Sequence, residues 1–289
     1  MKKRNPFIAA FLSLITPGLG SFYNSSNNLF YLFFISFIFF NYLITINNIY
    51  VFLAGIFLGI FLWIFSILHS FFQARKIKEI ELGKLKKFYI YLIPIIIVFT
   101  SNIYFSSNAK FTSFNIPAKS MQPTLLVGDY VFFDKNYYLK NEVKYGDLVV
   151  FKTKDNVDFV KRVIGMPGDN VQISEGKILL NNVLIKKIKT DDFIEEDMLG
   201  NIERTRKYKE KLFNVEYEVL DLMDNGIVDN TNIYSVPEGH YFVMGDNRDN
   251  SLDSRFIDKI GFVPEDKILH RANFIYWAKD KSRIASFLN

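Results

Sequence analysis

The stretch Asn115-Ile116-Pro117-Ala118-Lys119-Ser120-Met121-Gln122-Pro123-Thr124-Leu125 sets one serine between two prolines, with no histidine near it. A serine hydroxyl is a weak nucleophile until a base takes its proton, and the usual base is a histidine oriented by a carboxylate. The chain has three histidines. His69 lies in a long apolar run, and His240 and His270 flank strand-like segments, where a lone histidine is more often packed or on the surface. Lysine is the other base, and burial among apolar groups can keep it neutral. Lys161 stands in Asp158-Phe159-Val160-Lys161-Arg162-Val163-Ile164-Gly165. Strand alternation puts it on the face of Phe159 and Val163, and a lysine on an inward face must be paired or neutral. An edge-strand lysine that discourages aggregation fits the same periodicity. A third element, Gly245-Asp246-Asn247-Arg248-Asp249-Asn250-Ser251-Leu252-Asp253-Ser254-Arg255, is dense in Asp and Asn. It lacks the central glycine and terminal glutamate of a helix-loop-helix calcium site. It reads instead as a tight polar loop that hydrogen-bonds an active site.

The elements that must position these residues fall in the second part of the chain. From residue 106, short strand-like runs alternate with Gly, Pro and Asp turns: 130–133, 147–151, 159–164, 171–180 as a hairpin, and 240–244. That pattern predicts a mostly β domain over 106–289. Residues 186–232 differ: Asp191, Asp192, Glu195, Glu196 and Asp197, then Arg204, Arg206 and Lys207, suggest an inserted lobe with a solvated, charged surface.

The first part is lipid-like. The 289 residues leave room for about two domains, and the 49% hydrophobic content is concentrated before residue 106. Apolar runs at 29–46, 49–72 and 88–105 have the length that crosses a bilayer as helix. The loop between the second and third carries Arg75, Lys76, Lys78, Lys84, Lys86 and Lys87, which assigns it to the cytoplasm and everything after residue 105 to the outside. His69 then lies at the cytoplasmic end of its span, out of reach of an external serine. Lys2, Lys3 and Arg4 also favour the cytoplasm, so residues 5–23, broken by Pro17, Gly18 and Gly20, are expected to form a re-entrant or interfacial hairpin within a segment 1–28. A cleaved signal peptide is the competing reading. The net charge of +5 is too mild and dispersed for a nucleic-acid binder. With no cysteine there is no disulfide framework, thiolate zinc site or thiol nucleophile.

Four blocks in order, FNIPAKSMQPTLLVGDYV, YGDLVVFK, DFVKRVIGMPGD and GHYFVMGDNRDNSLDSR, resemble those of the bacterial type I signal peptidases, membrane-anchored serine proteases with a Ser-Lys dyad. The resemblance covers about residues 111–170 and 236–277. It implies Ser120 as nucleophile, Lys161 as general base, Ser251 as the hydroxyl that orients the lysine amine, and Asp253 with Arg255 as a supporting ion pair. It implies that Phe114, Ile116, Leu125, Phe159 and Val160 form apolar pockets for small residues at P1 and P3. The strand at 114–117 would pair with an extended substrate. The implied fold is a mostly β, coiled barrel-like signal peptidase/repressor-protease core with a smaller inserted lobe. An all-α membrane region of about three transmembrane helices precedes it. An exposed apolar patch, with Trp277 or Phe274, would dip into the outer leaflet.

The implied activity is endoproteolytic removal of N-terminal signal peptides from secreted pre-proteins at Ala-x-Ala sites, through an acyl-enzyme, with no metal or cofactor. The implied place is the bacterial cytoplasmic membrane, multi-pass, with the catalytic domain extracytoplasmic. Its partners would be pre-proteins, the bilayer and a nearby secretion translocase, and not nucleic acid. One departure stands out. Many relatives carry, two residues before the nucleophile, a serine whose hydroxyl helps form the oxyanion hole, and this chain has Ala118. Loss of such a donor can cost about 10²-fold in rate, so the hole would rely on the backbone N–H of Ser120. Self-cleaving repressors share the Ser-Lys pair but are soluble. A catalytically silent membrane scaffold is the non-enzyme alternative.

Overall fold

The computed structural model describes residues 3–46, 48–77, 88–196 and 201–288. Lys2, Asn47, Asp197 and four of the six basic loop residues (Lys78, Lys84, Lys86 and Lys87) lie outside them. The chain divides into two compact units, 1–111 and 112–289.

The first unit is helical: α1 (Pro6–Ile15), α2 (Leu19–Tyr23), α3 (Asn27–Leu43), α4 (Ile49–Lys76) and α5 (Phe88–Ser107). The Asn5 side chain caps α1 by accepting from the N–H of Phe7 at 2.9 Å, and Pro6 takes the first turn, where no N–H is needed. Thr16, which precedes Pro17, is extended and ends the helix. Gly18 then turns at φ +84°, where a Cβ would lie 2.9 Å from the Phe30 carbonyl oxygen. Residues 6–23 are therefore a helix, a break and a helix. They dock on α4 by polar contacts: Ser13 Oγ lies 2.8 Å from Ser70 Oγ, Asn24 Nδ2 donates to the Ser70 carbonyl at 2.9 Å, and Trp63 Nε1 donates to the Ser13 carbonyl at 3.1 Å. Small residues and interhelical hydrogen bonds are what hold helices together where apolar burial offers no drive.

Two stretches, Ile49–Lys76 and Ile90–Ser107, are long and apolar enough to cross a membrane. The expected run at 29–46 is a 17-residue helix ending at Leu43. At 1.5 Å per residue it reaches about 26 Å, at the lower end of the range of lengths that cross a bilayer. It stops because Thr45 and Ile46 turn back onto the carbonyls of Tyr42 and Leu43, ahead of Asn48, whose side chain caps α4.

The second unit is mostly β. Its strands are β1 (Phe111–Asn115), β2 (Tyr130–Asp134), β3 (Leu148–Lys152), β4 (Asp158–Gly165), β5 (Asn170–Ser174), β6 (Lys177–Leu180), β7 (Val183–Leu184), β8 (Lys186–Lys189), β9 (Phe193–Glu196), β10 (Ile202–Leu212), β11 (Val215–Asp221), β12 (Tyr234–Ser235), β13 (His240–Met244), β14 (Val263–Pro264) and β15 (Ile268–Trp277). Seven form one sheet in the order β1-β2-β15-β3-β4-β13-β14. β5 and β6 pair Val171 with Leu180 as a hairpin, and β12 and β7 complete a second sheet. The expected inserted lobe is a third sheet: β10 pairs with β11 and β8 along its second half and with β9 along its first. Its surface is charged, but Glu210 is buried to 1% exposure.

β15 is expected only as a strand-like segment beside His270, with no bounds. It pairs with both β2 and β3, with register shifts at Ile268/His270 against β3 and at Ala272/Phe274 and Ile275/Trp277 against β2. Three apolar clusters fill the unit. One of them, with Ile116, Met121, Leu125, Val131 and Phe133, lies beneath the Ser120 segment.

Candidate active site

Ser120 is the middle residue of a single 3₁₀ turn, Lys119–Met121, preceded by Ala118 in an extended conformation. Met121 and Leu125 are buried and fix the turn from below, and the Leu125 N–H donates to the Met121 carbonyl at 2.8 Å. Leu125 therefore belongs to the core under the site and does not line its cleft.

β4 supplies Lys161, 2% exposed, whose Nζ lies 2.7 Å from Ser120 Oγ. Burial pushes the lysine pKa down to about 8, more strongly than the carboxylates of Asp253 and Asp246 raise it, and the nearby Arg255 adds to the fall. The Phe159 ring centroid lies 5.3 Å from Nζ. Neither outer histidine joins the pair. His240 Nδ1 lies 2.9 Å from the Glu238 carbonyl oxygen, and His270 stacks on Phe114 with centroids 6.1 Å apart.

The loop 245–255 closes the site. The Asn247 backbone N–H donates to the Ser120 carbonyl, and its side-chain amide donates to the Lys119 carbonyl, both at 3.1 Å. Arg255 holds Asp253 by two hydrogen bonds of 2.8 Å, and the Gly245 N–H adds one of 2.9 Å. Burial raises the Asp253 carboxyl, but the charge and hydrogen bonds of Arg255 outweigh it and hold the group below the usual carboxylate range. Among the described residues, Ser251 Oγ is buried with no partner at hydrogen-bond distance, though it stands close enough to help stabilise the Asp253 anion. It makes no hydrogen bond to Lys161 here. Gly245 runs between Ser251 and the nucleophile: a Cβ on it would collide with Ser251 Oγ and lie 2.5 Å from the Ser120 carbonyl oxygen.

Arg162, adjacent to Lys161, points to the opposite face of β4. It is 1% exposed and donates to both Asp246 oxygens at 2.8 and 2.7 Å and to the Gly146 carbonyl at 2.8 Å. The Thr124 hydroxyl donates to the same carboxylate at 2.5 Å. One buried ion pair thus joins the lysine strand, the loop and the segment after Ser120. Asp249 accepts from the N–H of Leu222 at 2.7 Å and of Met223 at 3.1 Å. The loop's carboxylates are taken up by the protein itself, which accounts for its Asp-rich composition. Sequence reading missed Gly245, Asn247 and the Arg162–Asp246 pair. The one available signal was a second cation, Arg162, in an otherwise apolar strand.

A cleft of about 270 Å³ opens on the pair, and Phe114, Ile116, Phe159 and Val160 are among its walls. Two strand edges border it. The Ile116 N–H donates to the Asp129 carbonyl and its C=O accepts from the Gly128 N–H, so the N–H and C=O of Asn115 and the C=O of Pro117 (a proline has no N–H) alternate to the other edge. β4 pairs with β3 over 158–162 but with β13 only over 162–165. Among the described residues, one edge of β4 before residue 162 has no strand partner.

Residues 86–277 match the family described as signal peptidase, peptidase S26. The chain belongs to this family. Signal peptidase I of Aquifex aeolicus (strain VF5) is 36% identical over 196 residues, covering 57% of this chain and 75% of the relative. Signal peptidase I of Buchnera aphidicola subsp. Schizaphis graminum (strain Sg) is 35% identical over 218 residues, covering 58% and 68%. A crystal structure of a signal peptidase I from Enterococcus faecalis V583 is 26% identical and aligns with 45% of this chain and 97% of that one at a TM-score of 0.26, too low to speak for a shared fold. As a member of the signal peptidase family this chain is a serine endopeptidase.

Proposed function

We propose that the chain removes signal peptides from secreted pre-proteins, with Ser120 as nucleophile and Lys161 as its base. The observation that carries this is the 2.7 Å approach of a buried lysine amine to the Ser120 hydroxyl, with that lysine's pKa brought down to about 8. A neutral amine at that distance accepts the hydroxyl proton as Oγ attacks the scissile carbonyl. The new ammonium gives the proton to the leaving amine, and the mature protein departs. Lys161 then activates a water that hydrolyses the acyl-Ser120 ester. The Ser120 N–H, at the start of a turn where N–H groups lack internal acceptors, is the oxyanion donor of the nucleophile itself. Asp253 and Arg255 set the loop that carries Ser251, the hydroxyl assigned to orient the lysine amine.

The substrate lies extended in the cleft, between the free edges at Asn115–Pro117 and at the start of β4. Main-chain pairing gives grip, and Phe114, Ile116, Phe159 and Val160 leave room for small residues at P1 and P3. Leu125 sets the floor beneath them. Residues 29–105 anchor the enzyme as several spans, with 106–289 outside the cytoplasm and 1–28 as a re-entrant hairpin. Confinement to the membrane raises the effective concentration of pre-proteins emerging from a nearby translocase.

The test is cleavage of a pre-protein with an Ala-x-Ala site by the full chain in detergent. Wild type should cut after the second alanine, and Ser120→Ala and Lys161→Ala should each lose at least about 10³-fold in kcat. Sustained cutting by Lys161→Ala would move the base elsewhere.

A further inference from the structure

We propose that the inserted sheet positions the nucleophile, through Glu195 of β9. Both oxygens of this carboxylate are used on the Ser120 turn. Lys119 Nζ donates to Oε2 at 2.7 Å and Gln122 Nε2 donates to Oε1 at 3.1 Å. One of these residues immediately precedes Ser120 and the other follows it by two positions, so Glu195 straddles the nucleophile from outside the core. Gln122 is itself buried, and its Oε1 lies 3.5 Å from Asn247 Nδ2. Asn247 in turn binds the carbonyls of Lys119 and Ser120. The grip of Glu195 is thus continuous with the bonds that set the Ser120 backbone.

The same sheet holds the opposite side of the site. Glu210 of β10 receives both terminal nitrogens of Arg248, at 2.7 and 2.5 Å, and the Tyr217 hydroxyl at 3.0 Å. Arg248 Nε donates to the Gly245 carbonyl at 3.2 Å. Two neighbouring strands therefore reach both pieces that carry chemistry, the turn with Ser120 and the loop with Ser251 and Asp253.

The role of Glu195 is separable from stability. Its side chain is 31% exposed and that of Lys119 is 45% exposed, and such ion pairs are screened and contribute little to folding. Geometry at a nucleophile is far less forgiving: a misplacement of about 1 Å can cost roughly 10²-fold in rate. Glu195 touches neither reacting atom and acts through its two partners.

This inference rests on Ser120 and Lys161 being the reacting pair. The experiment measures kcat and KM of the full chain on the Ala-x-Ala pre-protein for Glu195→Ala, Glu195→Gln and Glu195→Asp, with thermal unfolding beside them. Glu195→Ala should lower kcat about tenfold or more, with KM and the unfolding midpoint unchanged. Glu195→Gln, which keeps a partner for Gln122 but loses the charge, should fall between. In a Lys119→Ala background the same substitution should cost less than in wild type, because the two act as one unit. Wild-type kcat in Glu195→Ala, a change confined to KM, or full additivity with Lys119→Ala would overturn the proposal. Ser120→Ala and Lys161→Ala run alongside. If they are inactive while Glu195→Ala is unaffected, this inference alone fails; if either still cuts, the dyad reading fails and takes this inference with it.

Discussion

Lys161 serves as a base only to the extent that it is neutral beside Ser120. Its buried amine titrates near 8, so kcat/KM should climb with pH and level off above about 8 in a pH–rate profile; a plateau already complete at pH 6 would count against it. The sign for stability follows from the same shift. An unfolded lysine keeps its proton to about 10.5, whereas the folded one releases it near 8. Between those values the unfolded chain holds more protons, and stability rises with pH. Below that window the buried cation costs on the order of 3 kcal/mol, so Lys161→Met should raise the unfolding midpoint at pH 7 while abolishing activity. Ala118 is exposed at the head of the nucleophile turn, with room for a hydroxyl. Ala118→Ser should increase kcat about tenfold by adding an oxyanion donor. An unchanged kcat would mean that the new hydroxyl bonds its own backbone instead. At this scale the sequence was informative where a residue's chemistry conflicts with its setting, as for a lysine and an arginine in an apolar strand. It was silent on Glu210, because alternating charges along a strand look alike whether one of them is buried or none is.

Gly245 shows how tightly the elements are fitted. No side chain fits between Ser251 and the Ser120 carbonyl, so Gly245→Ala must push loop and turn apart. Overpacking of this kind costs about 1–3 kcal/mol, and the displaced nucleophile should lose about 10²-fold in kcat. A variant that unfolds at a lower temperature yet keeps full kcat would show that the loop yields without moving Ser120. Short strands bounded by Gly and Pro were legible in the sequence because alternation and turn chemistry agree there. The extent of β15 was not, since its three register shifts change the inward face between Ile268 and Trp277, and a two-residue period never runs long enough to be seen. The break at 16–18 was legible because Pro17 and Gly18 each end helices for independent reasons. The shortness of α3 was not, because it depends on how residues 44–46 turn.

For the whole molecule, the orientation of the helical unit is the open physical question that a tag can answer. On the proposed topology, residue 25 follows a hairpin that does not cross, so a tag there should be protected from protease added outside intact cells, whereas one at the C terminus should be cut. External exposure of the tag at residue 25 would make 6–23 a span and overturn the hairpin. The division into a helical and a β unit was visible from composition alone, because lipid-like and charged sequence are segregated along the chain.

The chain has two tryptophans, and they fall in different units. The Trp63 indole N–H is bound to the Ser13 and Leu14 carbonyls of α1, whereas Trp277 is half-exposed at the end of β15, its ring 5.3 Å from that of Tyr130. Replacing either by phenylalanine leaves a single emitter. With Trp63 alone, the emission spectrum reports whether the first helix stays docked. With Trp277 alone, it reports on the surface of the catalytic unit as lipid or pre-protein is added. The molecule thus carries a separate optical gauge for each half, with no foreign dye attached.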